Sequence, residues 1–469
     1  MSRINTHKKT KKVRLDTMKL ISAGFFGAIM LGAILLYLPF SNQQPIRFMD
    51  ALFTSTSAIC VTGLVTIIPA TQFTLFGKII LLILIQIGGL GVIAIGTSFF
   101  LLLKKKISLS NRMILADSYS SSGPGGIVKF VKGAILGTFF MEGVGMVIYA
   151  FAFIPKFGVI RGAWFSLFHS ISAFCNAGID IIGGSSLNDF VTNPIISLNT
   201  MMLIIVGGIG FSVWFDLIFN GRRIVKIVKE GKQKLRWWHF TRVELHTKLA
   251  ISTTVILLVL GTILIFAMEY TNPETIGRLS FGDKVLASSF QSVTTRTAGY
   301  TTVSQAGLHN ATKLLCVILM LIGGSPGGTA GGIKTTTFAM VIITAISFIR
   351  GGSETECFKR KISKDNFRTG FTVLVLALFV YLSGTLAVVV IESDAIPVID
   401  IMYETASAIG TVGLTAGLTP KLHELSQIIL IIMMYLGRIG PLTFALVFGG
   451  MAHTKENLRE LPERRIIVG

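Results

Sequence analysis

Four glycines, Gly63, Gly178, Gly299 and Gly413, each close to the end of a short segment of related sequence: 53–64 (FTSTSAICVTGL), 168–179 (FHSISAFCNAGI), 290–300 (FQSVTTRTAGY) and 403–414 (YETASAIGTVGL). The glycines are 115, 121 and 114 residues apart, and the third copy is one residue shorter than the others. Four copies at a nearly constant period are an internal repeat. Glycine at a fixed place lets each loop adopt φ > 0 and aim main-chain carbonyls at a common point. Four such loops on one axis could replace the water around a cation with carbonyl oxygens, as the TVGYG loops of potassium channels do. The candidate ligands, for a K+ ion, are the carbonyls of Val61, Thr62 and Gly63, of Asn176, Ala177 and Gly178, of Thr297, Ala298 and Gly299, and of Thr411, Val412 and Gly413. A single glycine in an apolar helix reads as close packing. Four, each after a Ser/Thr-rich short segment, read as a shared site.

The elements that must position these loops are apolar. Hydrophobic residues make up 51% of the 469 and charged residues 14%, where a soluble domain carries about 25% charged. Blocks such as 18–40, 247–267 and 369–391 have roughly the 20 residues a membrane-crossing helix needs. A soluble enzyme with one anchor is excluded. The first block is too long for a cleaved signal and no small-residue cleavage site follows it, so it reads as a retained helix.

Each repeat parses as apolar helix, short segment and second apolar helix: 18–40, 50–60 and 72–103; 127–154, 163–174 and 195–219; 248–270, 282–293 and 311–349; 369–391, 399–409 and 424–450. The short middle segments cannot span and should be re-entrant. The expected fold is an all-α polytopic membrane protein, with eight transmembrane helices in four units around a pseudo-fourfold pore. Its divisions are a basic tail (1–17), four repeats (18–112, 113–235, 236–355 and 356–452) and a C-terminal tail (453–469). Lys and Arg concentrate in 1–19, 104–112, 222–248, 350–368 and 455–465, the segments between units. The positive-inside bias therefore puts the linkers and both termini in the cytoplasm. It accounts for the net charge of +20 without nucleic acid, and leaves lipid or a cytosolic protein as partners of the basic segments.

A second glycine motif follows each loop: IGGLG at 87–91, VGGIG at 206–210, IGGSPG at 322–327 and LGRIG at 436–440. At about 1.5 Å per helical residue these fall near mid-membrane. The third continues as GGSPGGTAGGIKTT over 323–336. Six glycines and Pro326 within residues 323–332 cannot stay helical, since glycine costs about 1 and proline about 3 kcal/mol relative to alanine. An irregular intramembrane loop is expected there. A phosphate loop is not, because Ile333 breaks the Gly-Lys pair.

The loops CVTGL, CNAGI, RTAGY and TVGLT, the segment GGSPGGTAGGIKTT and the final GRIGPLTF resemble the Trk/Ktr/HKT superfamily of potassium transporters, and within it the Ktr membrane subunits KtrB and KtrD. The likeness covers nearly the whole chain. It implies potassium uptake through a selectivity filter, sodium as an activator in some systems, a homodimer, and a cytosolic nucleotide-binding ring of RCK type such as KtrA or KtrC. It also implies a flexible gate made of Gly323, Gly324, Ser325, Pro326, Gly327, Gly328, Thr329, Ala330, Gly331 and Gly332, with Arg438 beside it; Lys334 reads either as added positive charge near this loop or as a side chain that snorkels to the cytoplasm. Arg438 would protrude into the pore below the filter. Some plant relatives with Ser in the first loop favour sodium; Gly63 here favours potassium. With one glycine per loop rather than the two of TVGYG, a shorter filter is expected.

Intramembrane charges are functional candidates by default. Arg296 replaces the Cys60 and Cys175 of the first two loops; it should point away from the ion and pair with Glu404. Asp180, after the second loop, reads either as an acidic mouth that concentrates cations or as a solvated loop residue. His169 and His246 have no partners at ligand spacing and read as packing residues. Cys60, Cys175, Cys316 and Cys357 fit no metal finger or disulfide framework and read as apolar fillers. No catalytic constellation is present, so an enzyme is not indicated. The rival readings are a sodium-selective or poorly selective transporter of the same fold, a sodium-coupled carrier, for which inverted repeats would be expected, and a scaffold, which would not need four matched loops.

Overall fold

The computed structural model describes residues 2–91, 125–184, 186–229, 243–352, 354–392 and 395–440, with side chains from residue 19 onward except at 227–229. The basic segment 104–112, the PLTF of the last motif and the tail 453–469 lie outside the described residues, as do the far ends of the helices expected to 103 and 450.

The regular structure of the described chain is helical but for one hairpin of two-residue strands, Glu356–Cys357 with Arg360–Lys361. Four helices open the four units: α1 (Ser2–Tyr37), α4 (Ile127–Phe157), α8 (Leu245–Glu269) and α12 (Lys364–Ile391). All four hold a stretch long and apolar enough to cross a membrane, in α1 from Lys19 to Tyr37. Each is followed by a short helix: α2 (Phe48–Cys60), α5 (Val159–Phe174), α9 (Phe281–Thr294) and α13 (Val398–Gly410). At 13–16 residues and about 1.5 Å per residue, these fall short of a bilayer.

The second helices each end or break at the second glycine motif. They are α3 (Leu75–Leu90), α6 (Pro194–Gly208) with α7 (Phe211–Lys229), α10 (Asn310–Leu321) with α11 (Thr335–Ile349), and α14 (Glu424–Ile439). Gly91, Gly210 and Gly440, the last residues of three second-motif copies, have φ of 88°, 96° and 96°. Left-handed backbone ends an α-helix. Thus α3 and α14 stop there, and the α6–α7 pair bends by 95°. The motif that marks mid-membrane in sequence is a helix terminator in space.

The exterior carries large apolar side chains such as Phe140, Phe151, Phe379 and Val390, whereas buried positions include many Ser and Thr hydroxyls. An apolar outside around a partly polar inside suits lipid, and the chain is a multi-pass membrane protein. The units join in a closed ring: α3 packs on α5, α6 on α9, α10 on α13, and α14 returns to α2. Every second helix thus supports the next unit's short helix.

Candidate functional site: a ring of four loops

The short helices α2, α5 and α13 end alike. The chain turns left-handed at Val61, Asn176 and Thr411, with φ of 56°, 60° and 51°. The next residue's N–H reaches back five positions, from Thr62 to the Ser57 carbonyl, Ala177 to Ser172 and Val412 to Ser407, each at 2.8 Å. This is a helix C-cap of the kind glycine usually fills. The third loop, one residue shorter, turns at Thr297 (φ 66°), and Ala298 reaches back four positions to Thr294 at 3.0 Å. The deletion is absorbed in the cap, and the four loops keep a common form.

Two residues on, Gly63, Gly178, Gly299 and Gly413 again have positive φ, from 60° to 99°. Their surroundings close a circle. A Cβ on Gly63 would lie 2.5 Å from the carbonyl oxygen of Ala177, and one on Gly299 would lie 2.6 Å from that of Val412. A Cβ on Gly178 would strike the carbonyl of Ala298, and one on Gly413 that of Thr62. Each glycine therefore abuts the residue before the next unit's glycine, in the order one, two, three, four, one. All four line a single cavity of ≈ 390 Å³. The short helices aim their carbonyl-bearing C-termini toward this ring, the end of a helix dipole that favours cations.

Serine hydroxyls support the loops from behind: Ser57 accepts from the Gly63 N–H at 2.9 Å and Ser407 from that of Gly413 at 3.0 Å. Ser172 bonds the backbone of Ile179. The Asn176 amide crosses to the third loop, donating to Thr297 Oγ1 at 3.2 Å.

On the far side of the ring from the cavity lies the stretch between α10 and α11. Its irregular backbone is bonded to the second unit: Ser325 N–H donates to the Gly208 carbonyl at 2.8 Å and Thr329 N–H to that of Gly207 at 3.2 Å, while Phe211 N–H reaches Gly327 at 3.1 Å. Thr329 Oγ1 donates to the Phe174 carbonyl at 3.1 Å. Gly331 packs so closely on Thr411 that a Cβ would collide with its hydroxyl. Arg438 reaches in from the fourth unit and donates to the carbonyls of Thr329 and Gly88. Lys334 folds back onto Ala330 at 2.6 Å.

Residues 2–458 match the TrkH family model, described as a cation transport protein. The chain belongs to the TrkH family. It is 38% identical over 462 residues to Ktr system potassium uptake protein B of Bacillus subtilis, covering 98% of this chain and 99% of that protein. It is 37% identical over 468 residues to potassium/sodium uptake protein NtpJ of Enterococcus hirae, with 98% and 99% covered. Its fold resembles that of the potassium transporter TrkH from Vibrio parahaemolyticus, with a TM-score of 0.69 at 16% identity over 91% of this chain and 85% of that one.

One pairing expected in this TrkH-family chain is corrected. Arg296 and Glu404 do not meet. The Arg296 guanidinium donates to the Gly323 carbonyl at 3.1 Å, joining the third loop to the start of the irregular stretch. Glu404 instead accepts from its own unit's outer segment: Thr415 Oγ1, the N–H of Ala416 at 3.0 Å and of Leu418 at 3.3 Å, and Thr419 Oγ1 at 2.6 Å. A fully buried carboxylate with four local donors has no need of a remote cation. Asp180 is not a solvated loop residue either. It is 8% exposed and accepts from His169 Nε2 at 2.7 Å.

A repeated device went unread in the sequence. The residue after each loop's first aromatic side chain ties its helix to the outer segment beyond the ring in three units: His169 to Asp180, Gln291 to Gln305, and Glu404 to Thr415 and Thr419. The first unit uses Asp50 to Thr66 instead, at 2.8 Å. The common offset was visible, but four unlike residue types hid it. Glu142 was also missed. It is buried in α4, and its two oxygens accept from Gln86 Nε2 at 3.0 and 3.3 Å.

Proposed function

We propose that this chain takes up potassium across the plasma membrane, with the ring as its selectivity filter and residues 323–336 as its gate. The reading rests most on one observation: each of four repeat glycines abuts the carbonyl before the next, around one cavity. Such a circle of carbonyls can coordinate a dehydrated monovalent cation. Glycine is required there, because any Cβ would press into a neighbouring unit's carbonyl. The gate loop blocks the path on the inner side, where Arg438 adds positive charge and pins Thr329. The Bacillus subtilis relative, matched over almost the full chain, is named as a potassium uptake protein, which supports potassium as the cargo here.

By the same family likeness, the working assembly is a homodimer on a cytosolic nucleotide-binding ring of RCK type. Sodium acts as an activator, and both termini face the cytoplasm. A second reading, a poorly selective potassium and sodium transporter, is favoured by the name of the Enterococcus hirae relative.

Growth of a potassium-uptake-deficient cell at limiting potassium tests the first reading. Gly299→Ser should then lower potassium-over-sodium preference about tenfold, the scale of about 1.4 kcal/mol. Unchanged selectivity would remove the ring from its assigned role. Pull-down of cytosolic proteins with the full chain tests the regulatory ring.

A further inference from the structure

The cavity over the ring has an uneven chemistry. Its lining includes all four ring glycines and, among the described residues, one ionisable side chain, Asp180. The rest of the lining is backbone, hydroxyl, amide and apolar surface, including Ser186, Asn188 and Thr415. A cation waiting outside the ring therefore meets one carboxylate in the described lining, while the Lys78 ammonium, which lies outside that lining, also acts on this carboxylate.

That carboxylate is held in a fixed direction. Oδ1 accepts from His169 Nε2 at 2.7 Å and from the Ile182 N–H at 3.0 Å, and Oδ2 accepts from the Gly183 N–H at 3.0 Å. His169 is itself fixed. Its Nδ1 lies 2.8 Å from the Phe165 carbonyl, so contacts at both ring nitrogens fix its orientation. The imidazole is fully buried, with the rings of Tyr149, Phe153 and Phe168 within 6.4 Å, centroid to centroid. Tyr300, just past Gly299, braces the same segment by donating to the Ile179 carbonyl at 3.3 Å. The donors to Asp180 come from its own unit, and the residue lines the cavity.

We propose that Asp180 forms an outer binding site for the transported monovalent cation, one step before the ring, with His169 as its positioning residue. The site takes a partly hydrated ion, since the cavity has room for water around it. A carboxylate in a walled cavity raises the local cation concentration where the field is focused. Its effect falls on capture rather than on discrimination, which belongs to the ring. The inference rests on the reading of the ring as the conduction path.

Two measurements test it on the full chain. Crystals of the unaltered protein soaked in rubidium or thallium salts should show an anomalous peak in the cavity beside Asp180, separate from any peak within the ring. In potassium-uptake-deficient cells, Asp180→Asn should raise the KM for potassium about three- to tenfold, with Vmax and potassium-over-sodium preference retained. Asp180→Glu and His169→Gln should restore KM to within about twofold, because each keeps the charge or its donor. A cavity without a peak overturns the proposal, as does Asp180→Asn at normal membrane levels with an unchanged KM. If that variant fails to reach the membrane, the anomalous map decides. Failure of the ring reading would show separately, as unchanged selectivity in Gly299→Ser.

Discussion

A β-branched residue is an outlier at φ near +55°, yet Val61 and Thr411 both adopt it. Such strain costs about 1–3 kcal/mol per residue and persists only where the surroundings over-determine it. Here the cap hydrogen bonds and the serine behind each loop do so. The glycines two positions on have no such latitude. Gly178→Ala would place a methyl group against Ala298 and Gly299 at φ +60°, and should cut uptake more than about tenfold at normal membrane levels. Glu404→Ala should lower thermal stability in detergent by about 2–4 kcal/mol, because it strips the acceptor from four donors. Exchanging the charges of Arg296 and Glu404 together should not recover what either single reversal loses. Recovery would show a coupling that the geometry lacks.

At the scale of elements, the same glycine motif has three outcomes. In the first and fourth units it ends a helix, in the second it bends one by 95°, and in the third it expands into the irregular stretch between α10 and α11. That stretch is held from two sides, by the bent second unit and by Arg438 of α14. Arg438 occupies the second position of the glycine pair found in the other three copies, so its side chain starts where those copies have none. Arg438→Ser would release Thr329 and remove a positive charge from the inner side of the ring. If the stretch is the gate, the variant should raise the maximal rate of potassium uptake several-fold without altering preference over sodium. A rate equal to or below that of the unaltered protein would argue for a static plug.

At the scale of the whole molecule, the ring is closed by the chain itself. Each second helix packs on the next unit's short helix, and the fourth returns to the first. The site therefore exists only when all four units are in place, and an ion bound at its centre should stabilise all of them. Potassium should raise the thermal unfolding midpoint of the purified protein more than equimolar sodium does. Saturation to about 100 times Kd corresponds to about 2.7 kcal/mol. Gly63→Ala should abolish the difference. An equal response to both salts would mean that the ring does not distinguish them.

The sequence by itself determined the class of molecule, the positions of the four loops and the break in the third unit. Apolar block length, repeat period and glycine density are local quantities set by the bilayer and by backbone sterics. The starts of the later helices and the bounds of the short middle helices followed from them to within a few residues, whereas α1 begins at Ser2 rather than at 18. What only the tertiary structure decided were the partners of charged groups and the fate of the second helices. Glu404 chose its own outer segment, Arg296 chose a carbonyl, and Asp180 was drawn onto a histidine eleven positions before it. A buried charge takes whichever donor or acceptor the fold brings within about 3 Å, and that proximity depends on how neighbouring units pack rather than on spacing along the chain.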